Sequence, residues 1–155
     1  MKNVFVLSSI ILCLISEAPF CPILAQDGKI ASNTLFFEVA GAAYWYSVNY
    51  DRMISEEVSF RIGYASLPSF SDGDSEGARV VPIMVNYLFG KGSSKLEVGG
   101  GFGTIVSSPT EYYFISIIGY RYQPRDGGVN LRIGLYPTTF GEPQLWGGLS
   151  FGVTM

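Results

Sequence analysis

The sequence predicts an all-β protein, an eight-stranded antiparallel up-and-down transmembrane β-barrel preceded by a signal peptide. Three observations lead there. Residues 1–25 have the layout of a secretory leader. The rest of the chain holds no apolar run near the 18 residues that mark a membrane helix, but shows short alternating segments rich in Tyr, Phe, Val and Ile. The second face of those segments carries glycine, small residues and single charges, where a soluble sheet shows water a row of Lys, Glu, Thr and Ser.

Composition excludes several chemistries. The 155 residues include 10 Lys+Arg and 13 Asp+Glu, a net charge of −3, with no His and only two Cys. Without His, and with Cys confined to positions 13 and 21, the usual zinc, haem and iron–sulfur sites have no ligands. Triads that use His as the base are closed as well. An acidic chain with scattered basic residues is not a nucleic-acid binder.

The leader begins with Lys2, continues through the apolar run Val4–Ile15, and is broken by Pro19 and Pro22 before Ile23-Leu24-Ala25. The apolar run falls short of the roughly 20 residues a spanning helix needs, so it reads as a cleaved signal peptide. Pro19-Phe20 before Cys21 is a poor match to a lipid-anchor site. Cleavage after Ala25 removes both cysteines. A small exported soluble domain often leans on disulfides, whereas a membrane barrel is held by its closed hydrogen-bond ladder. Residues 26–33 are then a short lead-in, and 34–155 the barrel domain.

Eight strands are expected, at 34–42, 44–52, 57–66, 79–89, 95–106, 112–123, 128–136 and 145–155. Eight is the smallest usual number for a transmembrane barrel, and about ten residues is the span of a tilted strand. In the first strand the telling residue is Glu38, a single charge in an apolar setting. The second carries Asn49 and Asp51. In the third, Val58, Phe60, Ile62 and Tyr64 oppose Ser59, Arg61, Gly63 and Ala65. The fourth holds Asn86. In the fifth, Leu96, Val98, Gly100 and Phe102 oppose Glu97, Gly99, Gly101 and Gly103. The sixth carries Arg121. In the seventh, Val129, Leu131, Ile133 and Leu135 oppose Asn130, Arg132, Gly134 and Tyr136. In the eighth, Leu149, Phe151, Val153 and Met155 oppose Ser150, Gly152 and Thr154.

An eight-stranded barrel has an interior just wide enough to be filled by side chains. The expected interior polar set is Glu38, Asn49, Asp51, Arg61, Asn86, Glu97, Arg121 and Arg132. Its three arginines balance its three carboxylates, as a low-dielectric interior requires. Which charges pair is open at this point. Glu38 and Glu97 as an acid–base pair is the less favoured reading beside pairing with arginine. Gly99-Gly100-Gly101-Phe102-Gly103 lacks the following helix and Lys-Ser/Thr of a phosphate loop, so wall packing accounts for it. Asp72, Asp74 and Glu76 lack the twelve-residue spacing of a calcium loop and read as a solvated loop. No catalytic residue, metal site or cofactor is expected.

Tyr44, Trp45 and Tyr46, then Tyr112, Tyr113 and Phe114, and Tyr87, Phe89, Tyr120 and Tyr122 lie near strand ends, where aromatic girdles meet the membrane interfaces. With both termini in the periplasm, the connections near 53–56, 90–94 and 124–127 are short periplasmic turns. The outer connections at 67–78 and 137–144 are longer, the one at 107–111 is about equal, and the first, at 41–43, is very tight.

The fragments Tyr46–Arg52, Phe60–Tyr64, Val81–Lys91, Leu96–Gly101, Gly119–Pro124, Leu131–Pro137 and Trp146–Gly152 together carry a family resemblance. Through them the chain resembles the small, mostly uncharacterised outer-membrane β-barrel proteins of the Bacteroidetes. The resemblance implies a place and a fold, not a ligand, and brings no catalytic residue with it. One departure is the last residue, Met155, where such barrels commonly end in Phe; Phe151 lies on the same face. The expected setting is the outer membrane, with its lipid and lipopolysaccharide as surroundings. Periplasmic chaperones and the barrel-assembly machinery are the expected partners during biogenesis, and no surface partner is identifiable. The expected role is structural or surface interaction. Two alternatives stand beside it: a barrel that binds a small apolar ligand or conducts weakly, and a soluble periplasmic lipocalin-like binder whose apolar face points inward.

Overall fold

A computed structural model describes residues 32–67, 77–106, 110–139 and 142–155. Eight strands, β1 (Asn33–Ala40), β2 (Tyr46–Met53), β3 (Val58–Ser66), β4 (Arg79–Phe89), β5 (Ser94–Val106), β6 (Glu111–Tyr122), β7 (Gly128–Thr138) and β8 (Gln144–Thr154), pair in chain order. Every pairing is antiparallel, and β1 also pairs with β8, so the sheet closes into an up-and-down barrel. Closure leaves no row of unpaired backbone groups at a sheet edge. The expected signal peptide, most of the lead-in, and Asp72, Asp74 and Glu76 lie outside the described residues.

The alternation in the sequence becomes the two faces of the wall. Leu35, Val48, Ile62, Ile83, Val98, Ile118, Ile133 and Leu149 point outward, one from each strand. Of all outward positions on the eight strands, only Arg52 and Arg79 are charged, and each sits within two residues of a strand end. The polar face points inward: Glu38, Asp51, Arg61, Glu97 and Arg121 are each 0% exposed. The apolar face therefore looks out and the polar face in, the reverse of the lipocalin-like arrangement.

The eight expected strands are present, with ends shifted by up to two residues. The end of β7 moves by two, from 136 to Thr138, and both sides of the first hairpin move by two. Strand β1 stops at Ala40 rather than at 42, and β2 starts at Tyr46 rather than at 44. Between them Gly41–Ala43 form a single 3₁₀ turn, and all three residues are buried. This turn touches β2, β3 and β4 as well as β7 and β8, so it lies across the lumen. Gly-Ala-Ala has no polarity to separate an inward turn from two more strand residues, which is why periodicity alone extends the strands through it.

We call this end of the barrel, with the 67–78, 107–110 and 139–143 connections, the loop end. The other, where β1 begins and β8 ends, with the short connections 54–57, 90–93 and 123–127, is the turn end.

Candidate functional site

The lumen gathers the buried polar residues of the strands, and it brings together all eight residues expected there. They form two neighbouring groups. In the first, Arg61 of β3 donates from Nη2 to Glu38 Oε2 at 2.5 Å and to Asn49 Oδ1 at 3.0 Å. Its Nε also donates to Asn49 Oδ1 at 3.1 Å. Tyr136 of β7 donates its hydroxyl to Glu38 Oε1 at 2.5 Å, and Ser150 of β8 donates to the same oxygen at 3.2 Å. Ser47 reaches Glu38 Oε2 at 3.4 Å, and the backbone N–H of Ala42 donates to that oxygen at 3.1 Å. Glu38 thus holds one arginine, one tyrosine and the inward turn at once.

In the second group two arginines face two carboxylates. Arg121 and Arg132 stand directly opposite in the β6–β7 register, an arrangement that repels unless anions intervene. Asp51 and Glu97 intervene. Arg121 Nη2 lies 2.6 Å from Asp51 Oδ1, and Arg121 Nη1 3.2 Å from Glu97 Oε1. Arg132 lies 3.4 Å from Asp51 and 3.4 Å from Glu97. Ser59 donates to Asp51 at 3.0 Å, and Asn86 donates from Nδ2 to Glu97 Oε1 at 2.9 Å. Each group is internally neutral: Glu38 with Arg61, and Asp51 and Glu97 with Arg121 and Arg132. Burying charge without a partner costs several kcal/mol per ion, so this neutrality is a condition of folding.

Phe36 lies between the groups. The Arg132 guanidinium carbon is 4.0 Å from its ring centroid and that of Arg61 is 5.0 Å away, so an apolar residue at an inward position serves as a cation–π face.

Toward the loop end the lumen changes character. Ala42, Ala43, Tyr44, Ala65, Val80, Met84, Ile105, Tyr113, Ile115, Ile117 and Tyr136 form one buried apolar cluster. Tyr113 donates its hydroxyl to Ala42 O at 2.7 Å, and the Tyr44 hydroxyl is 3.1 Å from Thr138 Oγ1. Tyr44 and Trp146 meet edge to face, with centroids 5.4 Å apart. Two tyrosines assigned to the girdles are therefore corrected: Tyr44 and Tyr113 point into the barrel. Tyr44 does so because it leaves the 3₁₀ turn at φ 71°. Tyr113 does so because the inward parity of β6 also carries Ile115, Ile117 and Arg121, and because Gly103 opposite leaves it room. A Cβ on Gly103 would lie 1.9 Å from the Tyr113 ring. Trp45, Tyr46, Tyr112 and Phe114 face outward as expected.

Reasoning from charge alone missed Ser47, Ser59, Asn130, Tyr136 and Ser150. For the first four the signal was present, since each shares the inward parity of a charged residue on its own strand; β8 carries no charge, and Ser150 is marked only by lying opposite the apolar face of Leu149, Phe151 and Val153. The 3₁₀ turn left no such signal.

Chemically, the lumen is a set of mutually satisfied charges. Glu38 and Glu97 are held by different arginines rather than by each other. Among the described residues, no group of three or more His, Cys, Asp or Glu is placed to hold a metal. The barrel's length is filled by large side chains, among them Arg61, Arg121, Arg132, Tyr136, Phe36, Met84, Leu88 and Ile115, all fully buried. Two clefts lie outside the lumen. One, at the turn end, is lined by Glu56, Glu57, Lys91, Lys95 and Arg125. The other, on the wall near the loop end, is lined by Phe114, Ser116, Pro137, Pro143 and Leu145.

No protein-family model matches the chain, and no curated protein matches it. Among solved structures it is similar to Ail, the attachment invasion locus protein of Yersinia pestis, at 9% identity and a TM-score of 0.44. The likeness covers 81% of this chain and 98% of that one.

Proposed function

We propose that the chain is a small outer-membrane barrel with a structural or surface-interaction role and no catalytic activity. The observation that carries the membrane reading is the wall. A continuous apolar face runs round the whole closed barrel, with charge only at Arg52 and Arg79 near strand ends. Exposed apolar patches on soluble monomers rarely exceed a few hundred Å², and a full circumference of Leu, Ile, Val and Phe needs a nonpolar solvent. A barrel is one of the two folds that satisfy every backbone group inside that solvent. Trp45, Tyr46, Tyr64 and Tyr112 toward the loop end, and Tyr50, Tyr87, Tyr120 and Tyr122 toward the turn end, fit the two interfacial girdles.

A bacterial outer membrane follows from pairing this wall with the leader at 1–25. Lipid and lipopolysaccharide then surround it, and chaperones and the assembly machinery deliver it. The sequence fragments similar to Bacteroidetes barrels support that source. The absence of His and the pairing of every lumen carboxylate with an arginine support a non-enzymatic role. A filled lumen supports a surface role, through the loop-end connections, over a conducting or ligand-carrying one.

The test is fractionation of cells that express the precursor, with each fraction run on a gel unheated and boiled. The expected result is a shortened product in the outer membrane whose mobility shifts on boiling. A soluble product that does not shift would overturn the membrane reading.

A further inference from the structure

On the outer wall near the loop end, a gap in the hydrogen-bond ladder coincides with a cleft. Between β6 and β7, Ile115 pairs with Thr138, and pairing resumes only at Ile118 and Leu135. The gap falls at Pro137, which has no N–H to give across the sheet. Ser116, facing it, turns its hydroxyl onto Pro137 O at 3.2 Å. Pro82 stands in a similar gap of the β3–β4 ladder, between Ile83 and Val80, but it is buried. Pro137 instead lies on the outward parity of β7, with Ile133 and Leu135.

The side chains around the gap project little. Gly100 stands opposite Ser116 on β5, and the Phe114 ring leans over it, 3.5 Å from where a Cβ would be. There Phe114 meets Phe102 edge to face, with centroids 5.7 Å apart. On β8 the outward Gly147 has open space where a Cβ would be. What remains is a cleft of about 370 Å³ lined by Phe114, Ser116, Pro137, Thr139, Pro143 and Leu145. It runs from mid-wall, at Ser116 and Pro137, to the loop-end rim, at Thr139 and Pro143.

The lining selects the occupant. Among the described residues, no charged side chain lines the cleft. Its hydroxyls are already engaged: Ser116 with Pro137 O, Thr138 with Tyr44 at 3.1 Å, and Thr139 Oγ1 with the Phe114 N–H at 3.1 Å. Gln144 sits at the rim, where its Oε1 accepts from Trp146 Nε1 at 3.1 Å. The surface left to a ligand is a phenyl ring, two prolines and a leucine. In a wall bathed by hydrocarbon, such a recess fills with hydrocarbon, because water or a headgroup would find no partner there. Its course, from the rim down to mid-wall, is that of a lipid chain in one leaflet.

We propose that this cleft is a binding site for one acyl chain of a membrane lipid, seated between Phe114 and Leu145 over the proline gap, with the lipid's polar end toward Gln144 and the rim. This rests on the membrane reading of the wall.

The test places the barrel, purified from the membranes of expressing cells, in dimyristoyl phosphatidylcholine vesicles. A fraction of the lipid carries a photoreactive diazirine in mid-chain, and adducts are mapped by peptide mass spectrometry after illumination. Several-fold more adduct is expected on Phe114, Pro137 and Leu145 than on Val48 and Ile62, which face outward on the far wall. Ser116→Phe, which fills the cleft, is expected to bring Pro137 and Leu145 down to the level of Val48 and to leave the heat-shifted band intact. Even labelling round the wall would overturn the site, and so would unchanged labelling of Leu145 in a folded Ser116→Phe barrel. The wild-type map decides alone if that variant does not fold. Adducts depleted at the cleft, with a dimer that Ser116→Phe abolishes, would assign it to a second copy and overturn the lipid. A protein that does not float with the vesicles would overturn the membrane reading itself, an outcome distinct from even labelling of a floated one.

Discussion

From the turn end to mid-barrel the lumen is filled by three arginines, three carboxylates and their Asn, Ser and Tyr partners. From there to the loop end it is filled by Met84, Ile115, Ile117, Tyr113, Tyr44 and an inward 3₁₀ turn. The two halves share one closed wall, yet they are built to different specifications. The charged half is specified by identity, because each ion is tolerable only beside its counter-ion. The apolar half is specified by volume, because close packing is all it must achieve. Glu38 joins them: it neutralises Arg61 on one side and accepts from the Ala42 backbone on the other.

The difference is sharpest under charge reversal. Arg121→Glu places a third carboxylate against Asp51 and Glu97, and a broken buried pair costs about 3–5 kcal/mol. The expected outcome is loss of the heat-shifted band; a normally folded barrel would show that the polar face is wet rather than enclosed. Truncation probes the other half. Met84→Ala is expected to cost about 2–5 kcal/mol in chemical unfolding, while Met84→Leu costs under about 1.5. Equal costs for the two would remove the claim that volume governs this half.

The outer wall supplies a third regime. Ile133→Lys on the outward face of β7 is expected to cost about 2–4 kcal/mol in lipid, if the site lies near mid-bilayer. No change in lipid would count against the face assignment. At the junction, Gly41→Ala meets both a backbone φ of 79° and the Glu38 carboxylate, 2.7 Å from the new Cβ. A strained residue of this kind costs about 1–3 kcal/mol, and the melting of the Ala42 and Tyr113 signals ahead of the barrel would locate the effect at the turn. The smallest effect belongs to Arg125→Ala at the turn end. Its contact with Glu56, at 3.9 Å between side chains more than half exposed, should be worth within about 0.5 kcal/mol.

How much of this was legible follows the same division. Charged residues in strands stand out against an apolar background, so Glu38, Asp51, Arg61, Glu97, Arg121 and Arg132 could be placed inside by parity alone. The apolar half could not be read that way. In β4, Val80, Met84 and Leu88 face in while Val81, Ile83, Val85 and Phe89 face out. In β6, Ile115 and Ile117 face in while Phe114 and Ile118 face out. When both faces are apolar, polarity does not tell them apart. The same ambiguity sent Tyr44 and Tyr113 to the girdles.

By itself, the sequence determined the number of strands, their antiparallel order and the neutrality of the interior, because period-2 alternation, strand length and charge balance are local or additive properties. Only the tertiary structure decided that Arg61 belongs to Glu38 while Arg121 and Arg132 share Asp51 and Glu97. Only it turned Gly41–Ala43 into the lumen. Both are contacts across the barrel between residues far apart in the chain. Their partners are fixed by the register and stagger of the closed sheet, which no segment carries alone.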